Sequence, residues 1–482
     1  MVLFSKKDTV MHIARLIFLA SFFFLFSCEK WLIDTSAQHA PSNARLLLYL
    51  HSTSVIPTDI SFTVSEIKIQ AEDGSWLKLA DGPIDIKSGA LVDRQILLQD
   101  AVVEPGVYKA IKIILQKASI KGRDGDASLA LPQPGGEVVI KSDIGLQRKE
   151  SSVVSLAWDT EKSVAKGYMF QPDSIEAELQ KPSAMGLLLF ISNSASNYIT
   201  IIDRSLERVV GAVTVGDRPM GMALNYTQDR LYVVNSGSRN ISTIDTTQFS
   251  LLDTILLTSG LEPTDVVIIP DEKNLFEGKL YIINKLSNDV TVVSTVTRRV
   301  LKTISVGMHP SAIAVDTIRK EIYVTNEQSN SVSIINAIND TFVANITVDS
   351  RPAGLIAAKD KLYVFNEGSH KISIISLSLR KVISTISVEG PPKRGIRGFN
   401  DRLFVVNTAA NTITFLNSFD VITRTIPAGV GPIGLAGDEK RNRLYISNYG
   451  GNTVSLIDII GEKILKEFFV GKSPYGVLLL ER

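Results

Sequence analysis

The chain reads as an all-β protein: a seven-bladed β-propeller whose C-terminal strand closes the first blade, with an N-terminal β-sandwich domain. Three observations predict this. First, a short apolar run ending in asparagine recurs at Asn193, Asn235, Asn284, Asn326, Asn366, Asn407 and Asn448, at intervals of 42, 49, 42, 40, 41 and 41 residues. A period of about forty residues with strand-like content marks propeller blades, not helical repeats. Second, each asparagine is followed seven residues later by Ser or Thr (Thr200, Ser242, Thr291, Ser333, Ser373, Thr414, Ser455). Ten residues on comes a small polar residue, from Asp203 to Asp458, and a proline follows in every unit, from Pro219 to Pro474. Third, short strand-like runs between Asp-Gly and Pro-Gly turns fill the region before the repeats, as in a sandwich.

Taken in order, the N-terminus carries Lys6, Lys7 and Arg15, the apolar stretch Leu16 to Phe26, then Ser27 and Cys28. That core is too short to span a bilayer of about 30 Å as a helix but suits a secretory leader. Leu25-Phe26-Ser27-Cys28 resembles the lipobox of bacterial lipoproteins, which implies acylation of Cys28; Phe26 departs from the small residue usual at its position. Cys28 is the only cysteine of the 482 residues, so an internal disulfide is excluded and a lipid anchor gives the thiol a role. The expected organisation is a signal peptide over 1–27, a polar tether over 28–43, the sandwich over 44–182 and the propeller over 186–482.

Within the sandwich, strands are expected at Leu46 to Leu50, around Ile60 to Ile69 with a bulge at Ser65-Glu66, and at Trp76 to Leu79, Ile84 to Ile86, Gln95 to Leu98, Tyr108 to Leu115, Glu137 to Ile140 and Ser152 to Trp158. Turns are expected at Asp73-Gly74, Asp81-Gly82, Pro105-Gly106 and Pro134-Gly135. Tyr108, following a Gly turn and opening a strand, reads as a structural corner tyrosine. Phe62 to Ile69, Trp76 and Pro105 to Ile113 resemble a family of uncharacterised domains of bacterial lipoproteins, which implies no activity.

Each repeat supplies four strands. The Leu-Tyr-Val-Val type run is one, with its Asn expected to bond the backbone of the following turn. A Val-Ser-Ile-Ile type run, a Thr-Ile-x-Val-Gly type run and a Gly- and Ala-rich post-proline run complete the unit. Small residues suit the innermost strand, where blades converge. Tyr323-Val324-Thr325-Asn326 and its six companions resemble the YVTN family of bacterial seven-bladed propellers. The chain enters the ring at Leu187 to Ser192 and ends on a post-proline run, so Tyr475 to Leu480 is expected to close the first blade and remove an exposed sheet edge.

Candidate binding residues lie at one end of the ring. The slot before each proline reads Arg218, Glu262, His309, Arg351, Pro391, Gly431 and Ser473, with Lys393 and Arg394 close by. Four residues after the first Asn, five repeats place another Asn, but Arg239 and His370 depart. Together Arg218, Arg239, His309, Arg351, His370, Lys393 and Arg394 are read as a basic channel mouth for an anion or carboxylated peptide, against the alternative of a solvated charged rim. Asp265 and Arg394 occupy a slot that is otherwise Gly or Ala and are expected to face each other across the channel, as a structural salt bridge or a ligand grip.

Function classes follow from what is present. With 51 basic and 50 acidic residues the net charge is +1, which gives no field for nucleic acid. Histidines are few, no phosphate-cradling loop and no Gly-x-Ser-x-Gly elbow appears, and neither a metal nor a cofactor is expected. The reading is a monomeric, non-catalytic lipoprotein of the cell envelope, anchored to a membrane, with the outer membrane and its periplasmic or surface face expected. Its propeller would bind a protein, peptide or glycan. The alternatives are a propeller hydrolase or lactonase, with Glu262 near His309, and a structural surface-layer component.

Overall fold

The computed structural model describes residues 43–54, 59–122, 125–165, 168–271 and 273–481; Cys28, the leader and the tether up to residue 42 lie outside them. Every regular element longer than a 3₁₀ turn among the described residues is a β-strand.

The first strand, Ala44–Ser52, explains its own unbroken apolar run. Side chains alternate across a strand, so a continuous apolar run needs cover on both faces. Leu46, Leu48 and Leu50 enter a core shared with Phe62, Val64, Ile67, Ile111, Ile113 and Trp158, while Leu47 and Tyr49 enter a second core with Leu189, Ile191 and Phe468 of the repeats. The first core lies between two sheets. One contains Ala44–Ser52, Gln95–Val103, Ser151–Trp158 and Ile175–Gln180; the other is built on Ile60–Ala71, Trp76–Lys87, Gly106–Gly122 and Glu137–Leu146. Phe62 meets Trp158 edge to face, with ring centroids 4.9 Å apart. Tyr108 donates its hydroxyl to the Glu104 carbonyl at 2.9 Å, the corner role read from its place after the turn.

One turn is corrected. Asp81-Gly82 does not separate two strands: Trp76–Lys87 is continuous, and its register against Ile60–Ala71 slips between Val64 and Glu66, opposite that dipeptide. Gly82, with φ of 104°, supplies a backbone state that a side chain disfavours, so the Asp-Gly signal marks a bulge and not a chain reversal.

The repeats form six four-stranded antiparallel sheets of the same order, the innermost strand beginning at Pro219, Pro263, Pro310, Pro352, Pro392 and Pro432. The same order recurs within a larger sheet, in which Pro474–Leu479 pairs with Leu188–Asn193, followed by Tyr198–Asp203 and Arg208–Thr214. The inner strands touch in a closed cycle, Pro474–Leu479 lying against both Pro432–Asp438 and Pro219–Leu224. The seam is made like the other junctions. Ser447 donates to the Tyr475 carbonyl at 2.7 Å just as Ser192 donates to Met220 at 2.6 Å and Ser311 to Pro352 at 2.8 Å.

Among the described residues, one contact belongs to the seam alone. Arg204, in the turn after Tyr198–Asp203, pairs with Asp438 at the end of the last complete inner strand, and its Nη2 donates to the Leu480 carbonyl at 3.0 Å. Both side chains of the pair are 1% exposed. Removing Arg204 leaves the buried Asp438 carboxylate, away from water, with the longer 3.3 Å contact to Arg441 as its remaining ion pair. Arg204→Met is therefore expected to lower the unfolding free energy by about 3–5 kcal/mol, and Arg204→Met with Asp438→Leu to recover most of it. Urea denaturation checks this; a loss within the ~0–1 kcal/mol of a surface pair would show that the contact does not secure the seam.

Candidate functional site

The asparagine motif builds one end of the ring from the inside. Each first Asn is fully buried, and its Nδ2 donates to the hydroxyl seven residues on, across the hairpin: Asn193 to Thr200 at 2.8 Å, Asn326 to Ser333 at 2.9 Å, Asn448 to Ser455 at 2.8 Å, with the other four at 2.8–2.9 Å. The invariant offset is thus a side-chain bond, which corrects the expectation that these asparagines cap the next turn. Side-chain capping is seen instead at the turn one strand later, where Asp203, ten positions on, accepts the N–H groups of Ser205 and Leu206 at its Oδ1 at 2.8 and 3.0 Å. The glycine before the proline leaves room for the buried amide. A Cβ on Gly471 would stand 2.6 Å from Cγ of Asn193, and one on Gly307 2.6 Å from Cγ of Asn326.

The second asparagine shapes the mouth. Its Oδ1 accepts the N–H of the pre-proline residue, from Asn197 to Arg218 at 3.0 Å, Asn288 to His309 at 2.7 Å, Asn330 to Arg351 at 2.9 Å, Asn411 to Gly431 at 2.7 Å and Asn452 to Ser473 at 2.9 Å. Those five residues, and Glu262, sit at positive φ. The two departures now have local causes. His370 serves the repeat whose pre-proline residue is Pro391, which has no N–H to donate. Arg239 serves the repeat in which Asn235 and Pro263 are 28 residues apart, against 26 between Asn284 and Pro310, so the link is longer and the bond is not made in the same way. Arg239 and His370 are exposed side chains at this end, explained by backbone geometry without a ligand.

The remaining basic residues do not stand alone. Glu327 accepts from Arg351 at 2.9 Å and sits 3.1 Å from His309 Nδ1; Glu367 accepts from Lys393 at 2.9 Å; Glu262 lies 3.4 Å from Arg218. Burial raises the pKa of Glu327, but Arg351 and His309, with Lys393 and Lys285 nearby, outweigh it and hold the carboxyl below its ordinary value. The mouth is therefore a run of alternating charges. Glu262 pairs with Arg218 and His309 with Glu327, so the Glu262–His309 partnership considered for hydrolysis is not formed.

Inside the channel, the Asp265–Arg394 encounter is direct. Arg394 Nη2 donates to Asp265 at 3.2 Å and to the Tyr475 hydroxyl at 2.8 Å, beside a cavity of ≈ 140 Å³ walled by Gly221, Gly354, Gly434 and Gly476. Burial raises the pKa of Asp265 against the pull of Arg394, and burial likewise raises that of Tyr475. A paired, partly desolvated ion pair that ties three inner strands together fits the structural alternative.

What the charge-led reading missed is apolar. Leu261, Leu286 and Met308 are 47%, 60% and 55% exposed at this end. The Leu286 N–H bonds the Leu261 carbonyl at 3.1 Å, and Met308 precedes His309, whose N–H is held by Asn288 in the Leu286 turn. Their exposure could not be read from the sequence, where each looks like one more core residue. No group of three or more His, Cys, Asp or Glu side chains able to hold a metal occurs among the described residues.

Sheets of one order arranged in a closed cycle about a channel define a β-propeller. The chain belongs to the YNCE-like beta-propeller family, matched over residues 176–482. Among solved structures, it is similar to a functionally unknown protein from Desulfotomaculum acetoxidans at 12% identity, covering 61% of this chain and 99% of that one with a TM-score of 0.55. It is also similar to a putative 6-phosphogluconolactonase from Bacteroides uniformis, at 13% identity over 61% and 100% of the two chains with a TM-score of 0.53. A putative 6-phosphogluconolactonase from Bacteroides fragilis gives 14% identity over 62% and 100%, with a TM-score of 0.52. At these identities the likeness shows the fold alone. No curated protein matches the chain.

Two outcomes test the mouth. Asn330→Ala is expected to destabilise by about 0.5–1.5 kcal/mol, the net worth of a hydrogen bond, while His370→Asn gains nothing because Pro391 cannot donate; equal stabilisation by His370→Asn in thermal melts would refute the capping account. Glu327, with its folded pKa depressed, contributes stability that is present above its unfolded pKa of about 4.3 and lost as pH falls through the folded value. Glu327→Gln is expected to flatten that acid limb in pH-dependent denaturation, and an unchanged limb would show the carboxylate is not coupled to folding.

Proposed function

We propose that this protein is an envelope lipoprotein whose seven-bladed, YVTN-type propeller recognises a protein or peptide through the asparagine end of the ring, with a β-sandwich as its N-terminal domain. The observation that carries the reading is the exposed Leu261, Leu286 and Met308 flanked by Arg218, Glu262, His309, Glu327 and Arg351. An apolar centre with a mixed-charge rim is the composition of a protein-binding patch. The internal pairing of the cations argues against a site built for a free anion. Seven four-strand runs, the seam pairing of Pro474–Leu479 with Leu188–Asn193 and the two sheets around the Phe62–Trp158 core support the domain reading.

The leader motif ending at Cys28 supports membrane attachment in the envelope, at the outer membrane on its periplasmic or surface face. Cys28→Ala is expected to move the protein from the membrane to the soluble fraction, and persistence in the detergent-extracted fraction would remove the anchor from the reading. Leu286→Asp with Met308→Asp is expected to reduce capture of a specific envelope partner by about tenfold or more, as loss of an apolar hot spot does, with thermal stability unchanged. Arg218→Ala is expected to have a smaller effect. Undiminished capture by the double variant would transfer the site elsewhere, and turnover of lactones by the purified protein would favour the enzyme alternative.

A further inference from the structure

The opposite end of the ring carries a second surface. There, each inner strand turns into the second strand, and each third strand turns into the outer one. Of the large apolar side chains described in the ring from Leu188 onward, the six most exposed all lie in these turns: Ile318 at 90%, Phe419 at 83%, Ile460 at 76%, Ile338 at 73%, Tyr226 at 65% and Phe276 at 63%. They come from five different sheets, so they are distributed around the ring and not gathered on one blade. Turn tips are ordinarily polar, and nothing in folding requires an apolar residue there.

In the hairpins of Ile338, Phe419 and Ile460 the chain reverses from the third strand to the outer strand through a residue at positive φ: Asp340 and Glu462 directly before the outer strand, and Asp420 two residues before it. Ion pairs between neighbouring sheets hold the turns in place, among them Lys279 with Asp340, Lys361 with Asp420 and Arg402 with Glu462. The anchoring side chains are polar and the tips beside them are apolar.

We propose that this end of the ring lies on a lipid bilayer, with the apolar tips inserted among the headgroups and the first acyl carbons. The separation of the tips selects this occupant. A protein partner buries a contiguous, shape-matched centre, whereas here the tips are carried by five different sheets around the ring. A fluid interface closes around each tip individually, and aromatic residues such as Tyr226 and Phe419 suit its polarity gradient. Lys279, Lys361 and Arg402 at this end are paired with carboxylates, and insertion of apolar tips does not depend on headgroup charge, so a bilayer of zwitterionic lipid is as good a partner as an anionic one. The inference rests on these exposures and is independent of the acylation of Cys28.

The full chain tests it. Cys28→Ser removes the only cysteine, and single cysteines then introduced by Phe419→Cys or Leu286→Cys carry an environment-sensitive fluorophore. With phosphatidylcholine vesicles, and with phosphatidylethanolamine–phosphatidylglycerol vesicles, the label at 419 is expected to shift to the blue and be quenched by brominated acyl chains, while the label at 286 does neither. In the same background, Ile338→Asp with Ile460→Asp is expected to reduce the shift at 419 by about tenfold at fixed lipid, with the thermal midpoint unchanged. No shift at 419, or an equal shift at 286, overturns the proposal, as does a shift seen only with anionic vesicles and abolished by salt. A leader retained on the chain would move both labels alike and so cannot imitate the expected result.

Discussion

A ring of sheets depends on its seam. Six junctions between sheets follow the chain, but the last requires residues at its two ends to enter one sheet, and here Leu189 pairs with Leu479 across 290 positions of sequence. Loop-closure entropy grows only logarithmically with that separation, so the seam is affordable at equilibrium, though a contact of such range forms late. Arg204 and the Leu480 carbonyl fix it chemically, and the N-terminal strand covers it, since Leu47 and Tyr49 share one core with Leu189 of the first repeat and Phe468 of the last. The preceding domain is thus part of the closure. Gln95 continues the junction, accepting the Val209 N–H at 2.8 Å.

The repeat was legible in the sequence because its chemistry is local. Asn and Ser or Thr seven positions apart must face each other across a hairpin, and glycine usually precedes the proline because the buried amide occupies the space of a side chain, with Asp349 taking that place before Pro352. The seam was half legible: the circular order of strands implied the closing strand, but Arg204 looks like any turn residue until the other end of the chain is beside it. The Asp81-Gly82 bulge was misread because a glycine at positive φ serves a bulge as well as a turn. The charge pattern at the mouth was incompletely read for another reason. Glu327 and Glu367 directly follow repeat asparagines, outside the slots in which basic residues were sought, and they meet Arg351 and Lys393 only in space.

Variation among repeats is not by itself a sign of recognition. The pre-proline residue has its backbone held by Asn Oδ1 at positive φ, with its side chain outside the fold, so Arg, His, Ser and Gly are all tolerated there. Where the backbone demand changes, the supporting residue changes with it, as His370 does opposite Pro391. A repeat departs from its own pattern first for backbone reasons, and only the residue left over after those are subtracted bears on a ligand.

That subtraction changes the kind of recognition the mouth supports. A cation whose carboxylate partner lies within about 3 Å presents little net field, and what it offers an incoming group is a hydrogen-bond donor whose present acceptor must be displaced or shared. Long-range attraction of an anion is weak under those conditions, while Leu286 and Met308 still have more than half of their surface to bury against a partner. The balance therefore moves from charge to apolar contact. The same balance holds at the opposite end, where ion pairs help fix the turns and the exposed tips are again aliphatic and aromatic.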